Sequence, residues 1–208
     1  SIDQHRLTAV QARSGNGLQP STWEEALTMV AEAITRMKQA NQLDRIGVIL
    51  STHLTNEELY LAKRLFGEIG IRQVVAQSPA PGESDSLLLQ ADRSPNARGA
   101  QALGLKCDGA SLLQRAARKE LSMLYVAGHD LTEVYGQTAV SEALAPLDVL
   151  VFQGPSVNAS APLAHVVLPS AVYAEKDGTF TNFQGRVQRI RPAFPPLRQA
   201  KTDAEILL

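Results

Sequence analysis

The side chains able to do chemistry are few and scattered. Cys107 is the only cysteine, so no disulfide can close within the chain and no centre built from several thiolates, an iron–sulfur cluster included, can be assembled from it. Beside Lys106 and Asp108 it reads as a packed or partly exposed thiol. The histidines His5, His53, His129 and His165 stand far apart, and no HExxH or other helical zinc spacing occurs. Only His129, at the expected end of a strand, is a site candidate. Gly154-Pro155-Ser156 lacks the frame of a nucleophile elbow, and neither a Walker loop nor a GxGxxG follows a strand. What remains is binding chemistry. Gly128-His129-Asp130 and Gln153 follow two short apolar runs, and ligands of parallel sheets sit beyond such strand ends. Gly178, Thr179, Asn182 and Arg186 lie in a glycine-punctuated stretch where the backbone can approach a ligand and polar side chains can hold chain or cofactor. Arg186, Arg189 and Arg191 could grip a phosphate or an acidic partner, although alternating cations on a solvated extended strand are the plainer reading.

These groups need a scaffold, and the chain supplies one in a regular alternation. Thr22 with Glu25 forms a capping-box pattern ahead of Trp23, Ala26, Leu27, Val30, Ala33, Ile34 and Met37, whose 3.6-residue spacing marks one buried helical face ending before Asn41. Residues 45–50 form a strand suited to burial on both sides. Thr55 with Glu58 opens a second helix, with Leu59, Ala62, Leu65, Phe66 and Ile69 inward and Gly70 as its left-handed stop. Further strands are expected over 72–76, 123–127, 148–152 and 165–168, and further helices over 110–119 and 138–144. The segment 77–98, with Pro79, Pro81, Gly82 and Pro95, is longer than ordinary connections and is either functional or wraps a neighbour. Alternating strands and helices imply an α/β domain: a doubly wound, mostly parallel sheet with helices on both faces. That domain is expected over residues 1–168. From Pro169 the pattern changes, so 169–208 is expected as an irregular extended or hairpin-like C-terminal segment, with Pro192, Pro195 and Pro196 barring continuous helix or central strand.

Twenty basic and 21 acidic side chains leave a net charge of −1 and no patch suited to nucleic acid. No apolar run approaches the ~20 residues that cross a bilayer, so direct membrane insertion is not expected. A reducing, cytoplasmic compartment fits the cysteine content. The sequence opens without Met, and Ile206-Leu207-Leu208 looks cut inside a helix, which suggests a fragment.

The stretch from Leu168-Pro169 through Glu175, Asp177-Gly178-Thr179, Asn182 and Gly185-Arg186 closely resembles a segment of the molybdopterin oxidoreductases. Ser21-Thr22-Trp23-Glu24-Glu25-Ala26-Leu27 and Leu54-Thr55-Asn56-Glu57-Glu58-Leu59-Tyr60 resemble two helix entries of the same family. Residues 87–100, with Gln90-Ala91-Asp92-Arg93-Ser94-Pro95-Asn96, look like the version carried by the large iron–sulfur subunit of NADH-quinone oxidoreductase. The resemblance implies that Gly128, His129, Asp130, Gln153, Gly178, Thr179, Asn182 and Arg186 border the cleft for molybdopterin guanine dinucleotide. Two departures oppose this: Gly128-His129-Asp130-Leu131 stands where the family has Gly-Glu-Asn-Pro, and neither a molybdenum ligand nor a cysteine-rich cluster domain is recognisable. The reading is therefore a non-catalytic structural domain of that large iron–sulfur subunit, holding no cofactor itself, in an NADH-to-quinone electron-transfer complex. Its partners would be the remainder of the subunit and other subunits of a respiratory NADH dehydrogenase, peripheral to the inner membrane. The alternatives are part of a formate-dehydrogenase-like enzyme gripping half of the dinucleotide, and a free-standing ligand-binding module.

Overall fold

A computed structural model describes residues 5–15, 17–87 and 90–208. Leu88 and Leu89, inside the stretch that resembles NADH-quinone oxidoreductase, lie outside the described residues. Strands β1 (Gln11–Ser14), β2 (Gly17–Pro20), β3 (Ile46–Ser51), β4 (Gln73–Gln77), β5 (Met123–Ala127), β6 (Val149–Gly154) and β7 (Val166–Pro169) form one sheet in the order β2-β1-β7-β6-β5-β3-β4. From β4 to β7 every pairing is parallel. The β1–β2 hairpin, unanticipated in the sequence, pairs antiparallel with the β7 edge. Its residues are half-buried or exposed and carry no apolar alternation, so they take strand form by pairing with that edge and not through a pattern of their own.

Helices α1 (Trp23–Gln39) and α2 (Asn56–Ile69) carry the capping boxes read from Thr22/Glu25 and Thr55/Glu58, and Gly70 closes α2 at φ +106°. α3 (Ala97–Ala102), α4 (Gly109–Ala117), α5 (Leu131–Tyr135), α6 (Gln137–Leu144) and α7 (Asp203–Leu207) complete the set. Short α3 and α5 escape periodicity because neither is long enough to show two turns of an apolar face. Alternation along the strands separates two cores. Val48, Leu50, Tyr125, Ala127 and Val151 pack with Ala26, Val30, Leu59, Phe66, Ile206 and Leu207 of α1, α2 and α7. Ile49, Leu124, Val126, Leu150 and Phe152 pack with Leu112, Leu113, Leu131, Val140 and Leu144 of α4, α5 and α6. Helices thus cover both faces, the doubly wound architecture expected from the alternation.

Strand β7 begins at Val166 and not at His165. The His165 ring accepts the Leu150 amide through Nδ1 at 3.0 Å, and that histidine is thereby structural. Beyond Pro169, β8 (Gly178–Thr181) and β9 (Val187–Ile190) form the anticipated hairpin as a separate two-stranded sheet. The proline-rich tail ends in α7, whose Asp203, Ile206 and Leu207 are buried.

Candidate functional site

After β3 the chain enters α2 on one face, and after β5 it enters α5 and α6 on the other. The crevice between the carboxyl ends of β3 and β5 is therefore a topological switch point, where doubly wound sheets take ligands. A cavity of about 800 Å³ lies there. It is bounded by His53 and Leu54 after β3, Gly128 after β5, Pro155 after β6 and Ser170–Tyr173 after β7. Asp92–Pro95 of the long 77–98 segment, Phe180 and Ile190 of the hairpin, Lys176 and Asp203 close it. Asp92–Pro95, near the C-terminal end of that segment, thus form part of the cavity wall.

Gly128 has φ +72°, and a Cβ on it would come within 3.2 Å of the Ser51 side chain, so glycine lets the β5 end turn tightly against β3. Lys176 is the buried centre of the wall. Its Nζ donates to Glu58 Oε2 and to Asp203 Oδ2, each at 2.8 Å, and all three side chains are at most 4% exposed. Asp203 Oδ1 accepts from Gln153 Nε2 at 2.6 Å, and the Gln153 carbonyl oxygen accepts from the Tyr125 hydroxyl. Burial works against the Lys176 ammonium, but Asp203 and Glu58 outweigh it and hold its pKa above the ordinary lysine value. Burial, and then the Asp203 charge, push the Glu58 carboxyl up against the pull of Lys176 and the Thr55 amide. Alongside, Arg6 grips buried Glu175 in a fork at 3.0 and 2.7 Å, and Glu175 Oε2 accepts the Val172 amide, fixing the loop after β7.

Of the residues singled out in the sequence, Gly128 lines the cavity. Gln153 is fully buried one hydrogen bond behind it, holding Asp203. His129 is 4% exposed with Nε2 unpartnered; burial, then His53, lower its pKa to about 4, against Asp130. Asp130 caps α5 through Thr132 and accepts from Ser160 Oγ at 3.0 Å. Gly178 and Thr179 fasten the hairpin to α2: a Cβ at Gly178 would lie 2.7 Å from Thr55 Cγ2, and Thr179 donates from its amide and hydroxyl to Glu57, at 2.8 Å each. Asn182 Oδ1 accepts the Gln184 and Arg186 amides and so shapes the hairpin turn, leaving Arg186 exposed. Arg189 pairs with exposed Asp177. Cys107 is exposed, 3.7 Å from Ser78 Oγ.

Sequence reasoning missed His53, Lys176, Glu58 and Asp203 as a group. They lie on three separate stretches, His53 and Glu58 at the entry to α2, Lys176 before β8 and Asp203 in α7, and no local spacing links the three. Among the described residues no group of three or more His, Cys, Asp or Glu is placed to hold a metal ion, and no helix is long and apolar enough to cross a membrane.

The sequence profile described as "Molybdopterin oxidoreductase" matches residues 6–93 and 86–208, which together take in nearly the whole chain. The chain belongs to the molybdopterin oxidoreductase family. Curated members similar to it include the NADPH-Fe(3+) oxidoreductase subunit alpha of Geobacter sulfurreducens, 36% identical over 46% of this chain, and the F420-dependent formate dehydrogenase subunit alpha of Methanocaldococcus jannaschii, 44% identical over 41%. An NADH-quinone oxidoreductase subunit of Rhizobium meliloti is 30% identical over 67%. The aligned stretches span 12%, 13% and 16% of those relatives' lengths. This is a molybdopterin-oxidoreductase-type domain related to subunits of both NADH-quinone oxidoreductase and formate dehydrogenase.

Proposed function

We propose that this chain is the α/β domain of an electron-transferring molybdopterin oxidoreductase, and that its switch-point cavity holds part of the family's pterin–guanine dinucleotide. The observation that carries this reading is the cavity itself, about 800 Å³ and walled by the ends of β3, β5, β6 and β7. That volume is within the range of cofactor sites. The residues present fit such a group: Gly128 lets the backbone approach it, and His53 and Lys176 bring polar hydrogen to a mostly apolar enclosure. When bound, the cofactor supplies metal-centred electron transfer. This chain's part is binding and orientation. Gly128 offers backbone contact, Gln153 steadies Asp203, and Gly178 and Thr179 fix the hairpin whose Phe180 and Ile190 form a wall. His129 and Asp130 set the turn after β5, while Asn182 and Arg186 shape the far end of the hairpin. Metal ligands would come from elsewhere in a longer protein.

A second reading, an empty scaffold within the large iron–sulfur subunit of an NADH-to-quinone complex, is favoured by the Rhizobium meliloti alignment. That alignment spans 67% of the chain, against 41% and 46% for the formate dehydrogenase and NADPH-Fe(3+) relatives. Partners would then be the rest of that subunit and its neighbours at the cytoplasmic side of the inner membrane. The test is expression in a host that makes the cofactor, followed by denaturation, oxidation and assay of pterin fluorescence and guanine nucleotide. Stoichiometric amounts support the cofactor-holding reading; neither above background refutes it in favour of the scaffold.

A further inference from the structure

We infer that the outer edge of β9 is a docking site for a partner protein, which adds an extended, acidic segment as a third strand of the β8–β9 hairpin.

Main-chain hydrogen bonding identifies the free edge. The Asn182 amide donates to the Arg186 carbonyl at 3.0 Å. Residues 182 and 186 are therefore a bonded pair, and along an antiparallel ladder bonded and non-bonded pairs alternate. The register sets Thr181 opposite Val187 and Thr179 opposite Arg189, so the N–H and C=O groups of these four point away from the hairpin's own ladder. On β8 the outward amides are taken. Thr179 donates to Glu57 and Thr181 to Asn96, each at 2.8 Å, which closes that edge against the body of the domain. On β9 the Val187 and Arg189 amides have no partner among the described residues, and β9 pairs with β8 alone. A two-stranded sheet is marginal by itself, and a bare edge is a template for one more strand.

Side chains along the edge select the kind of strand. Val187 is 61% exposed and offers apolar surface. No acidic residue occurs from 178 to 202. Around the hairpin Arg98, which donates to the Phe183 carbonyl, and Arg186, Arg189 and Arg191 stand against two carboxylates, Asp177 and Glu57. Lys106 and Asp92 near the turn offset each other. Four cations against two anions leave an excess of two positive charges on exposed side chains. A strand carrying carboxylates and β-branched residues satisfies both the charge and the two free amides. A nucleic acid or a free phosphate would meet the arginines and leave the amides bare.

The test titrates the 208-residue chain with a short capped peptide alternating glutamate with valine and threonine, with the lysine counterpart of that peptide, and with inorganic phosphate. Amide exchange is read residue by residue by NMR. At about 1 mM acidic peptide and low salt, exchange at Val187 and Arg189 should slow about 5-fold, with no change at Gln188 and Ile190, whose amides already bond β8. Raising salt to about 0.5 M, or Arg186→Glu combined with Arg191→Glu, should weaken binding about 10-fold, and the lysine peptide should not bind. Val187→Pro removes an N–H that the hairpin does not use and that an edge strand can lose, so it should abolish binding while Gln188 and Ile190 stay protected. Should that variant lose protection at Gln188 and Ile190, the double arginine variant decides. The inference is overturned by unchanged exchange at Val187 and Arg189, by equal binding of the lysine peptide, by wild-type affinity in the double arginine variant, or by binding that survives Val187→Pro with the hairpin intact. Phosphate and peptide that perturb the arginine side chains alike, without amide protection, would make this an anion site and overturn it too. Protection that rises with the concentration of the chain alone would give the edge to a second copy and remove the partner assignment.

Discussion

Replacing Lys176 by Met removes one charge and keeps most of the side-chain volume, so it isolates the electrostatics of the cavity wall. In the native chain the ammonium is bonded at 2.8 Å to Glu58 and at 2.8 Å to Asp203, with all three side chains at most 4% exposed. At that burial solvent screening offers little relief. Without Lys176 two carboxylates face each other in the interior, and breaking a buried ion pair by removing one partner destabilises by about 3–5 kcal/mol. Against the ~5–15 kcal/mol total of an ordinary domain, that is a large fraction. The penalty depends on pH in a defined direction. Glu58 already has a folded pKa above its ordinary value, and loss of Lys176 raises it further. A group with a raised folded pKa binds its proton more tightly when folded, so its contribution is present below the unfolded value and lost as pH rises through the folded one. Urea denaturation of Lys176→Met should therefore show a deficit that is small near pH 4.5 and grows toward pH 8. The triple variant Glu58→Gln, Lys176→Met, Asp203→Asn should recover at least half of the deficit at pH 8. A deficit under about 1 kcal/mol at pH 8, or one that does not change with pH, would refute the buried-triad account.

Three further outcomes are expected. The pKa of His129 is lowered to about 4, so stability should fall as pH drops from about 6.5 toward 4, by up to about 3 kcal/mol, and His129→Leu should flatten that fall in urea titrations. Fully buried Asn96 donates to the Leu54 carbonyl at 2.9 Å and accepts the Thr181 amide at 2.8 Å, so Asn96→Ala should cost about 2–4 kcal/mol by urea titration and speed amide exchange across 178–190. Gly178→Ala would place a methyl 2.7 Å from Thr55 Cγ2 and should lower stability by about 1–3 kcal/mol in thermal melts, chiefly by lifting the hairpin off α2.

Both capping boxes, the left-handed stop at Gly70 and the five parallel strands follow from short-range rules, and the structure contains each of them. The β6 and β7 boundaries differ from the expected ones by one or two residues, and the His165 ring accepts the Leu150 amide just before β7 begins. The candidate site was legible in part. Gly128 stands out as a glycine ending an apolar run and does line the cavity. Asn182 and Arg186 were singled out as polar groups near a possible ligand, and they turn out to shape the end of a hairpin.

What the sequence determined alone is therefore the class of fold and the family: periodicity and caps depend on neighbours within a few residues, and the family motif is contiguous. The tertiary structure decided which polar groups meet. Glu58 on α2, Gln153 at the end of β6, Lys176 before β8 and Asp203 opening α7 are up to 145 residues apart, the separation of 58 and 203. They converge because the parallel sheet brings its strand ends to one side and the hairpin and α7 fold back over them. A buried ammonium is stable only when such distant carboxylates arrive together, and no local pattern in the chain encodes that meeting.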